Sequence, residues 1–138
     1  MSSGKRIVFD TSILVGAVLK PRSVPAKALS WAWEVAEVVV SAQTLDELRV
    51  VLGRDRLDAF RARDARESFF EFYRAMTVLV PASEAVAACR DPKDDKFLSL
   101  AVSAGASLLV SSDDDLLTLG RYREVAILRP KQFVELCE

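Results

Sequence analysis

The chain has 138 residues, of which 51% are hydrophobic and 28% charged, with a net charge of -1 and a pI near 5.6. This length suits one domain with a substantial core, and the balanced charge excludes a strongly basic protein that coats nucleic acid. The sequence contains no histidine, which excludes Ser-His-Asp triads, Cys-His dyads and HExxH zinc sites. Catalysis would therefore have to use carboxylates, hydroxyls, Lys, Arg, Tyr or a metal ion.

Features of the whole chain predict a cytoplasmic protein with no membrane partner. Cys89 and Cys137 form neither a CxxC motif nor a zinc spacing, which is typical of reduced thiols. The apolar run Ile7–Asp10 is too short for a signal peptide, and no segment reaches the roughly 18 apolar residues of a membrane span. Residues 1–138 are predicted to form a single domain, in which the polar leader Met1–Lys5 is flexible.

Along the chain, short β-branched and apolar runs alternate with longer segments of helical period. The predicted strands are Arg6–Phe9, Val38–Val40, Thr77–Val80, Ser107–Val110 and Val125–Leu128. The predicted helices begin near Pro25, Ser41, Ala62, Asp91 and Pro130. Strands that alternate with helices need crossover connections, so the sequence predicts an α/β fold with a mainly parallel five-stranded sheet and helices on both faces.

Acidic residues fall close to the predicted carboxyl ends of the strands. Asp10 follows the first strand and Asp113 the fourth, while Asp94 and Asp95 begin the helix that leads into the fourth strand. Glu47 lies in the helix after the second strand. Because ligands of parallel α/β sheets bind beyond the carboxyl ends of the strands, we expect these carboxylates to meet at one edge.

Carboxylates that share one site need compensating positive charge. Like charges a few ångströms apart raise one another's pKa, and a divalent cation relieves this repulsion. Oxygen ligands without His or Cys favour Mg²⁺ or Mn²⁺ over zinc. Two such ions can bind a phosphodiester, generate hydroxide from water and neutralise the leaving oxygen. The pattern therefore favours phosphodiester hydrolysis that needs no histidine.

Each carboxylate also has an ordinary structural explanation. Asp10 can be the N-cap of a following helix, and Glu47 can be a solvated helix residue. Asp94 can act as a capping partner, with Asp95 as a first-turn anion that stabilises the helix dipole. The run Asp113–Asp115 can be a solvated loop. The order and spacing of the set, rather than any single residue, favour a shared site.

Four segments together resemble the PIN domain family, in the order found in that family. They are Arg6–Asp10 with Thr11-Ser12, Thr44–Leu48 with Glu47, Asp91–Leu98 with Ala101, and Leu109–Asp113 with Leu116-Leu117. The resemblance spans nearly the whole chain and is strongest to the toxins of toxin–antitoxin pairs related to VapC. It implies a three-layer PIN-like fold and a Mg²⁺- or Mn²⁺-dependent endoribonuclease.

The resemblance also implies which residues form the site. The catalytic and metal-binding residues would be Asp10, Glu47, Asp95 and Asp113. Asp95 is preferred over Asp94 because its distance from the Leu109–Asp113 strand suits the family better, and Asp115 is the alternative to Asp113. Supporting hydrogen bonds would come from Ser12, from Ser111 or Ser112, and from Asp94 as a cap.

Partners are implied in the same way: an RNA substrate, a cognate antitoxin that inhibits the site, and a second copy of the chain in a homodimer. Lys20 and Arg22 are the predicted RNA contacts. The arginines between Arg49 and Arg66 alternate with acids, which is typical of an ion-paired surface.

Two other interpretations of the sequence compete with the nuclease hypothesis. One is a catalytically silent PIN-fold module that only binds RNA or a protein partner. The other is a receiver-like domain, which would need paired acids after its first strand and a lysine after a late strand. Only Asp10 follows the first strand, and no lysine follows Ser112 in its loop, which disfavours the receiver.

Overall fold

The computed structural model describes residues 5–138, so residues 1–4 of the predicted leader Met1–Lys5 lie outside the described residues. The strands are β1 (Arg6–Phe9), β2 (Glu37–Val40), β3 (Val78–Leu79), β4 (Leu108–Val110), β5 (Arg121–Tyr122) and β6 (Val125–Leu128). The helices are α1 (Thr11–Leu19), α2 (Val24–Val35), α3 (Ala42–Leu52), α4 (Arg63–Met76), α5 (Asp95–Ala104), α6 (Asp114–Leu119) and α7 (Pro130–Cys137). Two 3₁₀ turns, Asp55–Ala59 and Pro92–Asp94, precede α4 and α5.

Within residues 5–138 the sheet has six strands in the order β3-β2-β1-β4-β6-β5, and only β5 runs antiparallel to its neighbour. The mainly parallel sheet is thereby confirmed, but the predicted number of five strands is wrong by one. The strand that the sequence did not reveal, β5, has only two residues and no apolar run. Gly120 (φ +66°) ends α6 immediately before β5, and Arg123 (φ +52°) lies in the hairpin turn between β5 and β6.

Side chains of the parallel strands divide between two cores, one on each face of the sheet. On β1, Ile7 and Phe9 pack with α1, α2 and α7, whereas Val8 packs with α5 and α6 on the opposite face. Both cores consist largely of buried aliphatic residues. The predicted three layers, with helices on both faces of the sheet, are therefore confirmed.

Local sequence determines where the helices begin and end. Ser41 caps α3 by accepting the Thr44 N–H, and the Thr44 side chain accepts the Ser41 N–H in return. α5 ends at Gly105, whose φ of +65° lies in the left-handed region that glycine adopts without strain. In residues 5–138, no helix combines the length and the hydrophobicity that crossing a membrane requires.

A buried arginine holds the segment between α3 and α4. Arg66 is completely buried, and its guanidinium donates to the carbonyl oxygens of Leu52 (2.5 Å), Arg54 (3.1 Å) and Arg61 (3.0 Å) and to the carboxylate of Asp58. The sequence predicted a solvated, ion-paired surface for the arginines from Arg49 to Arg66, and for Arg66 this is wrong: it is ion-paired with Asp58 but buried, so it is part of the fold.

The strand order places a crevice beside β1. From β1 the chain passes to β2 on one side, and later reaches β4 on the other side. In open parallel sheets such a reversal of strand order leaves a crevice at the carboxyl ends of the two strands, and ligands bind there. Asp10 directly follows β1, and Ser111 directly follows β4.

Candidate functional site

Asp10 is held in a fixed orientation at the end of β1. Its side chain is buried, with 4% exposed, and caps α1 by accepting the Ile13 N–H at 3.1 Å. Oδ1 also accepts from Ser12 Oγ at 2.8 Å, and Oδ2 accepts from Ser111 Oγ. Burial raises the pKa of Asp10; these hydrogen bonds oppose the increase, and the charge of Asp113 adds to it.

Ser111 connects Asp10 to the loop after β4. The completely buried Ser111 hydroxyl donates to Asp10 and accepts the Asp113 N–H at 2.9 Å. Asp113 in turn caps α6, accepting the N–H groups of Asp115 (2.8 Å) and Leu116 (3.3 Å). Of the two serines that the sequence left open, Ser111 therefore contacts the Asp10 carboxylate. The other, Ser112, lies 3.1 Å from the Ser12 hydroxyl.

Three carboxylates converge next to Asp10. Asp94, Asp113 and Asp115 each place one oxygen within 4.8 Å of the others. Asp94 Oδ2 is buried and finds no hydrogen-bond partner anywhere in residues 5–138. Burial, together with the smaller effects of the charges of Asp113, Asp91, Asp10 and Asp115, raises the pKa of Asp94 to about 6. An unpartnered buried oxygen among like charges fits a cation ligand, because a divalent ion would satisfy the oxygen and relieve the repulsion.

Asp95 is hydrogen-bonded to the loop that precedes α5 and is not among the three converging carboxylates. Its Oδ1 accepts the backbone N–H groups of Cys89 (2.8 Å) and Ala88 (3.1 Å). Although burial acts to raise the pKa of Asp95, the hydrogen bonds from Cys89 and Ala88 outweigh it and hold the pKa below its ordinary value. The geometry thus favours Asp94 as a member of the acidic cluster, whereas the sequence spacing had favoured Asp95.

Glu47 lies beside Asp10 but is not among the converging carboxylates. Its Oε2 accepts from the hydroxyl of Thr11, the residue after Asp10, and its Oε1 lies 2.7 Å from Lys96 Nζ. The same ammonium donates to the carbonyl oxygen of Lys93 at 2.6 Å. Neither Thr11 nor Lys96 was assigned a role from the sequence, although Lys96 lies inside the third segment of the resemblance.

Other cations lie at the rim or far from the acidic cluster. Arg90 donates to Asp115 Oδ1 through Nη2 (2.6 Å) and Nε (3.0 Å), with 86% of its side chain exposed. Lys20 and Arg22 are exposed beyond the carboxyl end of the nine-residue α1. That helix is about 14 Å long, so the predicted RNA contacts are not brought next to Asp10.

In the described residues 5–138, the converging side chains at this edge of the sheet are carboxylates and offer only oxygen ligands. Hard divalent cations such as Mg²⁺ and Mn²⁺ prefer such ligands. Cys89, the nearest sulfur to the cluster in the described part of the chain, does not change this preference. Burial and the neighbouring Asp95 raise the pKa of its thiol to about 12, so it stays protonated.

Comparison with known proteins agrees with the fold. The sequence pattern of the PIN domain family matches residues 6–115, from β1 to the start of α6. The uncharacterized protein MJ1680 of Methanocaldococcus jannaschii is 24% identical over 140 residues, covering 94% of this chain and 90% of that protein.

Two solved structures share the fold. One is a chain of the VapBC2 crystal structure from Rickettsia felis, bound to a DNA fragment from its promoter (TM-score 0.60, 14% identity, 88% of this chain and 96% of that chain). The other is PAE2754 from Pyrobaculum aerophilum (TM-score 0.63, 16% identity, 96% of this chain and 89% of that chain). Because the family pattern covers most of the sequence and the layered architecture agrees with it, this chain belongs to the PIN domain family.

Proposed function

We propose that this protein is a Mg²⁺- or Mn²⁺-dependent endoribonuclease that hydrolyses RNA phosphodiester bonds as the toxin of a type II toxin–antitoxin pair. The observation that carries the proposal is the buried, unpartnered Asp94 Oδ2 beside Asp113, Asp115 and Asp10. PIN domains are generally nucleases, and membership in the family supports hydrolysis at this cluster.

The proposed cation ligands are Asp10, Asp94 and Asp113, with Glu47 at the edge of the site. Asp94 replaces Asp95 in this set, because Asp94 Oδ2 is unpartnered and Asp94 converges with Asp113 and Asp115, whereas Asp95 is not among the converging carboxylates. Divalent cations bound there would polarise the phosphodiester and lower the pKa of a water molecule. The sequence favoured two such ions, and the proposal keeps that number for the enzyme with RNA bound.

The chain's own residues fix the carboxylates in place. Ser111 and Ser12 orient both oxygens of Asp10, and the α1 amide of Ile13 stabilises its charge. Thr11 orients Glu47 from the residue adjacent to Asp10. Such hydrogen bonds restrict the rotation of a ligand and so reduce the free energy needed to organise the site.

Partners follow from the same acidic edge. We propose that a cognate antitoxin covers the site with a cationic side chain, since a carboxylate cluster binds guanidinium groups strongly. The VapBC2 structure, whose name describes a complex on promoter DNA, supports a partner of this kind. The proposal further includes a homodimer, one domain over residues 1–138, a cytoplasmic location, and RNA contacts from Lys20 and Arg22.

The test incubates purified protein with a mixed RNA pool in Mn²⁺ or EDTA. Wild type and the control variant Asp46→Asn, which alters an exposed carboxylate paired with Arg49 on α3, should both cleave RNA in Mn²⁺. EDTA and Asp10→Asn should each abolish cleavage. Cleavage that persists in EDTA, or at full rate in Asp10→Asn, would reject the mechanism. RNA binding without cleavage by folded wild type would instead favour the silent binding module.

A further inference from the structure

We propose that Lys96 occupies the place of a second cation at Glu47, so that the substrate-free protein binds one divalent ion tightly and not two. The inference rests on the proposed metal centre and concerns its composition. It assigns Lys96 as a positioning residue that neutralises Glu47, while the ion binds on the side of Asp94, Asp113 and Asp115.

Both oxygens of Glu47 already have partners. Oε2 accepts the Thr11 hydroxyl, and Oε1 lies 2.7 Å from Lys96 Nζ. Only 21% of the Lys96 side chain and 30% of the Glu47 side chain are exposed, so solvent screens this pair less than it screens ordinary surface pairs.

The Lys96 ammonium is itself held in position. It donates to the Lys93 carbonyl oxygen at 2.6 Å and lies 5.2 Å from the centre of the Phe97 ring. The carbonyl and the ring face both favour a positive charge at this point. The Lys93 carbonyl and the Phe97 ring therefore stabilise the positive charge of Lys96 next to Glu47.

The carboxylates on the other side of the site lack a compensating cation of this kind. Among residues 5–138, no lysine or arginine forms an ion pair with Asp10, Asp94 or Asp113. Asp115 pairs only with Arg90, whose side chain is largely in solvent. Uncompensated negative charge is thus concentrated on the Asp94 side, and this side is where an added divalent ion gains most.

A second ion at Glu47 would have to displace the ammonium. The cleft beside it, about 360 Å³, is lined by Gln43, Asp46 and Glu47 on one side and by Pro92, Lys93 and Lys96 on the other, so the displaced side chain has space to move into. Displacement costs the Lys96 contacts, and we therefore expect the second ion to bind weakly in wild type.

The test counts bound Mn²⁺ by electron paramagnetic resonance of the free ion and by calorimetry, with no RNA present. Wild type should bind one Mn²⁺ per chain. Lys96→Met should bind two, with the dissociation constant of the second lowered on the order of tenfold or more because a competing charge is removed. Lys96→Arg keeps the charge, and Lys93→Met removes a charge from the same cleft without touching Glu47. Both should stay at one ion.

The outcomes separate this inference from the function on which it rests. Two ions of similar affinity in wild type, unchanged in Lys96→Met, would overturn the role of Lys96 and leave the metal centre intact. No Mn²⁺ uptake by folded wild type would overturn both. If circular dichroism shows that Lys96→Met is unfolded, Glu47→Gln decides: it should still bind one ion with little change in affinity. A fall from two ions to one in that variant would refute the inference.

Discussion

Exchanging Asp94 for asparagine should stabilise the metal-free protein, whereas the same exchange at the adjacent Asp95 should destabilise it. Asp94 has an unpartnered buried oxygen among like charges, whereas Asp95 accepts two backbone N–H groups. Asparagine keeps the size of the side chain and removes its charge. The pair of variants therefore compares two electrostatic environments with little change in packing.

For Asp94 the magnitude follows from its pKa. Burial and the neighbouring acids raise the pKa from 3.8 to about 6, so stability that is present below pH 3.8 is lost as the pH rises through about 6. At 1.36 kcal/mol per pKa unit the ionised side chain would destabilise the metal-free fold at neutral pH by at most about 3 kcal/mol, and solvent screening of this half-buried side chain reduces the figure to about 1–2 kcal/mol. Asp94→Asn should recover about 1–2 kcal/mol, or roughly 3–7 °C in Tm for a chain of this length.

For Asp95 the sign is reversed. Hydrogen bonds from Cys89 and Ala88 hold its folded pKa below the ordinary value, so its contribution is present above that value and lost as the pH falls through the folded pKa. The amide oxygen of asparagine can accept the same N–H groups but carries no charge. Asp95→Asn should therefore lower the stability at neutral pH by about 1 kcal/mol.

Thermal denaturation in EDTA and in Mn²⁺, at about pH 7 and about pH 4, measures both effects. In EDTA the advantage of Asp94→Asn should shrink toward the lower pH. Mn²⁺ should raise the Tm of wild type and Asp95→Asn but leave that of Asp94→Asn nearly unchanged. The reasoning is refuted if Asp94→Asn is less stable than wild type in EDTA and still responds to Mn²⁺ while Asp95→Asn does not. Asp95 would then be the ligand.

Three further variants test other contacts. Ser111→Ala removes the hydroxyl that Asp10 accepts, and we expect Mn²⁺ affinity measured by calorimetry to fall about tenfold; an unchanged affinity would contradict its role. Arg66→Met leaves three backbone carbonyls without their donor, and should lower the urea-derived unfolding free energy by about 3 kcal/mol; an unchanged midpoint would refute it. Arg90→Ala removes an exposed cation from Asp115, and Mn²⁺ should bind no more than about threefold tighter; weaker binding would contradict this expectation.

Where the position of a carboxylate follows from strand topology, the sequence was enough to predict its neighbourhood. Asp10 and Asp113 come after β1 and β4, and the order of these strands brings them to one crevice. Apolar runs identified both strands, since the parallel strands are buried on both faces. Their proximity could be predicted without knowing how the side chains are oriented.

The choice between Asp94 and Asp95 depends on orientation, which the sequence does not give. Successive residues at a helix start point about 100° apart, so a small change in the start reverses which of them faces the site. The sequence suggested a helix from Asp91, but Pro92–Asp94 forms a 3₁₀ turn and α5 begins at Asp95. The Lys96–Glu47 pair was hidden for a related reason, because it joins two helices far apart in the chain.

The outer strands of the sheet, β3 and β5, contain only two residues each. β3 is followed within two residues by Pro81, which has no N–H to donate. Edge strands this short leave few unpaired backbone N–H and C=O groups to which a strand of another molecule could bind. They therefore protect the protein against polymerisation through its sheet. Any lasting association of this protein, with itself or with an inhibitor, would then have to use helices and loops.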